Sequence, residues 1–225
     1  MKKLINLLLV LVMVLSFAQV ASAGYSSVGV AASTSYVDLN NPKRIIIVVG
    51  DSRLMFFSYG TPKKAHENFV LCYVNGGGSS IIDRRTGQLT PVVNNYIQKY
   101  RKYNPVIVLT LGVNDNAKPK KNAKRLIERY SQWMAAYPDL DFLICDVGPT
   151  IMEQGSYTNA NIIKLNKALH AEYDSKGIIL NEYDYLLSNN IVNFEGKGFR
   201  DKNHYNPTAR AKILKFIRSA VNQLG

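Results

Sequence analysis

Five apolar runs punctuate this chain, at 44–50, 69–74, 106–111, 141–147 and 177–181, with stretches of helical periodicity between them. In the stretch 123–137, Leu126, Ile127, Tyr130, Met134 and Tyr137 recur at three- and four-residue steps, and helices are also expected over 91–102 and 159–175. The last stretch, 207–224, carries Ala211, Ile213, Leu214, Ile217 and Val221 at the same steps. Asn206 before Pro207 supplies a capping side chain followed by a proline suited to a first helical turn. Strands that are apolar throughout are buried on both faces. Their alternation with amphipathic helices predicts an α/β protein with one five-stranded parallel sheet between two helical layers. There is no internal repeat, low-complexity block or interdomain linker, so one domain is expected over 43–225.

In such a sheet, ligands gather beyond the C-terminal ends of the strands. The polar clusters of this chain fall there. Gly50-Asp51-Ser52 ends the first apolar run, Asn75-Gly76-Gly77-Gly78-Ser79-Ser80 the second, Gly112-Val113-Asn114-Asp115 the third and Gly148-Pro149-Thr150 the fourth. Asp201-Lys202-Asn203-His204 precedes the last helix, whose start lies on the same edge. A serine hydroxyl is a poor nucleophile until a base takes its proton, and histidine is the usual base near neutral pH. An acceptor must hold that histidine in the useful tautomer. Asp201 lies three residues before His204, an offset that lets its carboxylate reach back in a tight turn. Acyl transfer also needs donors for an oxyanion. The Ser52 N–H, the Asn114 amide and an N–H among the three glycines 76–78 are the candidates. His66 and His170 lack such company and are read as structural or solvent-facing. No His, Cys and carboxylate cluster has metal-ligand spacing, so no metal site is expected. The Gly-x-Gly-x-x-Gly spacing of a phosphate cradle is absent.

The N-terminus has the layout of a secretory signal: Lys2-Lys3, an apolar run over 4–17, then Ala21-Ser22-Ala23. Cleavage after Ala23 is expected. Residues 24–42, polar and rich in small side chains, are read as a flexible mature N-terminus. No stable membrane insertion is expected once the signal is removed. The formal net charge is +12. A basic secreted protein is drawn to anionic cell-wall polymers. The basic residues are scattered rather than gathered in one arm, which argues against a nucleic-acid partner. Their densest group, Lys118, Lys120, Lys121, Lys124 and Arg125, is read as a solvated loop and helix start. The two cysteines, Cys72 and Cys145, sit in separate apolar runs. If those strands are not neighbours, about 14 Å separates them, beyond the reach of a disulfide, so both are expected free and buried.

Taken in order, these blocks resemble those of the SGNH hydrolases, also called the GDSL esterases and lipases, over roughly residues 45–213. The resemblance implies a three-layer α/β/α sandwich with a flavodoxin-like sheet, acting without a cofactor. It makes Ser52 the nucleophile and Asp201 and His204 its partners. It gives the oxyanion to the N–H of Ser52, the N–H of Gly78, with Gly76 in reserve, and the side chain of Asn114. One departure concerns Arg53, which stands where the family's block has leucine. A cation beside the nucleophile either contacts a substrate anion or pairs structurally with a carboxylate, and for the first case Arg53 is a substrate-binding candidate.

The expected activity is that of a secreted serine esterase, extracellular or associated with the cell wall. It would remove small acyl groups, O-acetyl among them, from a small-molecule ester, a carbohydrate or a cell-wall polymer through an acyl-Ser52 intermediate. An O-acyltransferase using the same residues and a non-catalytic polymer-binding protein are the alternatives left open.

Overall fold

The computed structural model describes residues 30–33, 37, 44–58, 60–74, 82–155 and 157–224. The signal segment 1–23 lies outside them, as does most of 24–42. Six strands form one sheet: β1 (Val30–Ser33), β2 (Ile46–Gly50), β3 (Phe69–Val74), β4 (Val106–Leu109), β5 (Phe142–Cys145) and β6 (Ile179–Leu180), in the spatial order β1-β3-β2-β4-β5-β6. The five strands β2 to β6 are parallel, and each matches one of the five apolar runs. Strand β1, within the segment expected to be loose, pairs antiparallel along the outer edge of β3, with Val30 opposite Val74. Covering that edge removes a row of unpaired backbone groups.

The helices are α1 (Ser52–Met55), α2 (Ile82–Tyr100), α3 (Pro119–Ala136), α4 (Asn159–Tyr173), α5 (Glu182–Ser188) and α6 (Pro207–Val221). Side chains alternate across each strand, and β2 uses both directions. Ile47 and Val49 join one core with Leu89 and Val93 of α2, Leu126 and Tyr130 of α3, and Leu165 and Leu169 of α4. Ile46 and Val48 join the other with Leu54 of α1, Leu186 of α5, and Ile213 and Ile217 of α6. This is the three-layer sandwich with a flavodoxin-like strand order. Its crossovers diverge between β2 and β4, where a crevice opens.

Besides the one-turn α1, which the sequence did not announce, three helices differ from the sequence expectation. Helix α2 begins at Ile82, ahead of the expected 91, and carries Pro91 inside it. Helix α3 begins at Pro119, with proline again in the first turn. Helix α5 has no counterpart in the periodicity, because seven residues span only about two turns. Its start is marked by Asn181, whose side chain accepts from the Asp184 N–H. Helix α6 starts as expected, with the Asn206 side chain accepting from the Ala209 N–H and Pro207 behind it. Lys118, Lys120, Lys121 and Lys124 are exposed around the first turns of α3, as a solvated helix start requires. Cys72 on β3 and Cys145 on β5 are free and buried, with β2 and β4 between them. Burial pushes the Cys72 thiol up to about 12, so it is inert as a thiolate. No helix of the described residues is long and apolar enough to cross a membrane.

Gly112, after β4, has φ +143°, and a Cβ there would lie 2.4 Å from Val147 Cγ2. Both the backbone conformation and the contact forbid a side chain. Gly112→Ala is expected to destabilise the fold by about 2–4 kcal/mol in urea unfolding.

Candidate active site

Strand β2 runs straight into α1 through Asp51. The Asp51 carboxylate, 2% exposed, caps the helix by accepting the Arg53 N–H at 3.0 Å, and the Asp51 carbonyl accepts the Leu54 N–H at 3.0 Å. Gly50 makes the corner possible, since a Cβ there would sit 2.6 Å from Thr110 Oγ1. Ser52 is thereby fixed as the first residue of α1 at the end of the central strand. Its N–H is one of those that no helical carbonyl reaches.

The opposing side chains come from the turn before α6. The Arg200 N–H donates to the His204 carbonyl at 2.7 Å and closes that turn. Inside it, Asp201 Oδ1 accepts the N–H groups of Asn203 and His204, each at 2.9 Å. Both Asp201 oxygens lie 2.9 Å from His204 Nδ1, and His204 Nε2 lies 3.1 Å from Ser52 Oγ. Partial burial pushes the Asp201 carboxyl up, but the two backbone donors and the imidazole outweigh it and hold the group below the usual carboxylate range. Asp201 is therefore an ionised acceptor throughout the neutral range, and the Nδ1–H tautomer it selects leaves Nε2 free to take a proton from Ser52. The Phe56 ring meets the imidazole edge-on with centroids 4.6 Å apart.

Asn114 lies on the far side of the crevice, in the short 3-10 turn Val113–Asp115 beyond β4. That turn is tied down by the Asp115 N–H donating to the Gly112 carbonyl at 2.8 Å and by Asn122 Nδ2 donating to the Asp115 carbonyl at 2.7 Å. Asn114 is half-buried, and its amide makes no hydrogen bond among the described residues. Gly78 and Gly76, the candidate glycine donors, lie outside the described residues. His66 falls in the 3-10 turn Lys63–His66, away from these groups in the chain. His170 faces two carboxylates, with Nε2 3.2 Å from Asp146 and Nδ1 2.8 Å from Asp174.

Arg53, the substrate-binding candidate, is engaged within the protein. The side chain turns inward, and all five of its N–H donors bond to protein. Nε donates to the Asn203 carbonyl at 3.0 Å. Nη1 donates to the Gly148 carbonyl at 2.8 Å and to the Tyr205 hydroxyl at 3.0 Å. Nη2 donates to the Pro149 carbonyl at 2.8 Å and to Asn203 Oδ1 at 3.2 Å. The Tyr205 hydroxyl in turn donates to the Pro149 carbonyl at 3.0 Å. The acceptors are carbonyls, an amide oxygen and a phenol, with no carboxylate among them. Because Asn203 and Tyr205 flank His204, the residue after Ser52 fixes both neighbours of His204. It also ties them to the loop leaving β5.

Beneath this brace lies a cavity of about 30 Å³ lined by Arg53, Tyr205, Asp146 and Glu182 among others. Glu182 is buried at the start of α5. Burial, the adjacent Asp146 and the more distant Asp51 raise its carboxyl to about 8 against the pull of Arg53. Asp146 is raised too, chiefly by burial, although it accepts the Tyr183 N–H at 2.9 Å and meets His170. The sequence reading missed both acids, as well as Tyr205 and Phe56.

The sandwich is similar in fold to solved structures of GDSL-family lipolytic proteins and of an acetyl xylan esterase. A GDSL-family lipolytic protein from Veillonella parvula superposes with a TM-score of 0.56 at 16% identity, covering 80% of this chain and 100% of its own. A GDSL-like lipase from Bacteroides thetaiotaomicron gives a TM-score of 0.58 at 14% identity, covering 81% of this chain and 89% of its own. The acetyl xylan esterase AlAXEase gives 0.53 at 20% identity, covering 79% of this chain and 100% of its own. No protein-family model and no curated protein matches the sequence.

Two predictions follow from the brace and the buried acids. Arg53→Ala strands the Gly148 and Asn203 carbonyls, leaves the Pro149 carbonyl to Tyr205 alone, and frees the turn that carries His204. It is expected to cost about 2–4 kcal/mol of stability in urea unfolding, with Arg53→Lys recovering only part because it lacks the fork. For Glu182, the folded carboxyl titrates near 8 and the unfolded one near 4.5, so the native state binds the extra proton between those values. Its contribution is therefore fully present below pH 4.5 and is lost as pH rises towards 8. Thermal unfolding at pH 5 and pH 8.5 is expected to show a smaller drop in Glu182→Gln than in the wild type.

Proposed function

We propose that this chain is a secreted serine esterase that removes small acyl groups, O-acetyl in particular, from carbohydrate or cell-wall polymer. The observation that carries the reading is the continuous series from Ser52 Oγ to His204 Nε2 at 3.1 Å and from Nδ1 to Asp201 at 2.9 Å. In this reading Ser52 Oγ attacks the acyl carbonyl as His204 Nε2 takes its proton, and the carbonyl oxygen becomes an oxyanion. The Ser52 N–H, the Asn114 amide and the Gly78 N–H receive that charge. Collapse expels the alcohol, which takes the proton from His204, and leaves an acyl ester on Ser52. Water, deprotonated by the same nitrogen, attacks that ester and releases the acid. Asp201 holds the imidazole and balances the imidazolium without itself taking the proton.

The acetyl substrate is favoured by the likeness in fold to an acetyl xylan esterase. The polymer is favoured by the net charge of +12 and the signal-like N-terminus. The reading is tested by hydrolysis of p-nitrophenyl esters of graded chain length, with acetate expected to be turned over fastest. Ser52→Ala is expected to lower kcat by roughly 10⁴-fold or more with the fold intact. Asn114→Ala is expected to lower kcat by about 10²–10³ at little change in KM. Activity above a few per cent in Ser52→Ala would sink the mechanism, and a rise in KM alone in Asn114→Ala would make that residue a substrate binder.

A further inference from the structure

An open groove of about 570 Å³ lies against the His204 side of the site, lined by Met55, Phe56, Gly60, Arg200, Pro207 and Arg210. It is continuous with the catalytic cluster through Phe56. One contact of that ring is the His204 imidazole, with centroids 4.6 Å apart. Another is the Arg200 guanidinium, whose Cζ stands 4.1 Å from the ring centroid. The two contacts bound the separation of the imidazole from the guanidinium at about 9 Å, within reach of one bound substrate.

Among the described residues the charge of the groove is one-sided, with no carboxylate in its lining. Arg200 is exposed, its guanidinium stacks on Phe56, and its side chain makes no ion pair or hydrogen bond with any described residue. The nearest carboxylate in sequence, Asp201, is already engaged by two backbone N–H groups and by His204. Behind Arg200 sits Arg210, 3% exposed, on the first turn of α6. Burial pulls Arg210 below the ordinary guanidinium range, and the like charge of Arg200 adds to it in smaller measure. The Phe56 ring holds Arg200 in place, so little side-chain freedom remains to be lost when an anion arrives. The planar fork of that guanidinium matches an oxyanion in two-point fashion.

Resting on the esterase reading, we propose that this groove is an anion subsite, in which Arg200, with Arg210 behind it, receives a carboxylate or phosphodiester oxyanion carried by the ester substrate. The substrate is then an acidic polymer, acylated close to its charged groups. Uronate and polyol-phosphate chains share that chemistry, and they are told apart by experiment.

Three acetylated oligomers test the subsite: oligogalacturonate, poly(glycerol phosphate) and neutral xylo-oligosaccharide. Within each enzyme variant, the ratio of kcat/KM for an anionic oligomer to that for the neutral one cancels general loss of activity. The wild type is expected to prefer at least one anionic oligomer. Arg200→Ala is expected to reduce that preference about five- to tenfold, chiefly through KM, with Arg200→Lys restoring part of it. The preference is expected to fall as salt is added. The arm that responds names the source of the anion. A preference absent from both anionic arms, or one that survives Arg200→Ala, overturns the subsite. Failure of the esterase reading looks different, as absence of turnover on all three oligomers. In that event calorimetric binding of the unacetylated oligomers to wild type and Arg200→Ala still decides the subsite: weaker anion binding in the variant upholds it and equal binding overturns it.

Discussion

Strand β2 has to be covered on both faces, and most of this molecule follows from that requirement. Its side chains alternate between two separate cores. One is closed by α2, α3 and α4, the other by α1, α5 and α6. To supply both covers, the chain leaves β2 towards β3 on one side and later returns to β4 on the other. The connections beyond these two strands therefore diverge. Ser52 and Asn114 stand on the two lips of the resulting crevice because they are the residues that follow those strands. The position of the chemistry is thus a by-product of burying Ile46, Ile47, Val48 and Val49.

A crevice alone would not hold a serine and a histidine within 3.1 Å of each other. Ser52 is rigid because Asp51 ends the strand and caps the helix in one step. His204 comes from a turn with no sheet beneath it, so other bonds must restrain it. Asp201 supplies one restraint from inside the turn, accepting both backbone N–H groups and the ring. Arg53 supplies the other from outside, bonding the residues on either side of His204. A leucine at that position would pack, but it would leave the carbonyls of Gly148, Pro149 and Asn203 without these donors. Ser52 and His204 are consequently registered by a side chain adjacent to Ser52 itself.

Much of this was legible in the sequence, and the gaps have physical causes. The five parallel strands could be read because a strand buried on both faces leaves an unbroken apolar run. Asp201 and His204 could be linked because a three-residue offset in a turn is a local property. Pro91 misled the reading of α2, since proline suits a first turn and is costly inside a helix. Strand β1 carries no distinguishing pattern in a segment rich in small polar residues. It is specified by the edge of β3, which only the assembled sheet presents. Nothing in the sequence marks Glu182 as buried, since an acid in the first turn of a helix ordinarily stays exposed, where its charge favours the helix dipole. Its burial depends on the packing of α5 over the end of β5. Arg53 could not be resolved at all, because its acceptors lie about a hundred or more residues away along the chain.

Arg53 and Arg200 show why counting hydrogen-bond partners says more than counting charges. Both are cations within a few residues of the proposed catalytic groups, and in the sequence both are equally fit to meet an anion. Arg53 has five donors and five acceptors within the protein, so an incoming carboxylate would have to displace a bond it could only replace. Its charge is satisfied by carbonyl dipoles and serves to hold position. Arg200 has its face on Phe56 and its donors unclaimed by any described residue. An aromatic face steadies a guanidinium without using its N–H groups, which leaves the edge of the fork available. Of the two arginines, the one farther from Ser52 in sequence is therefore the one whose N–H groups no described residue claims.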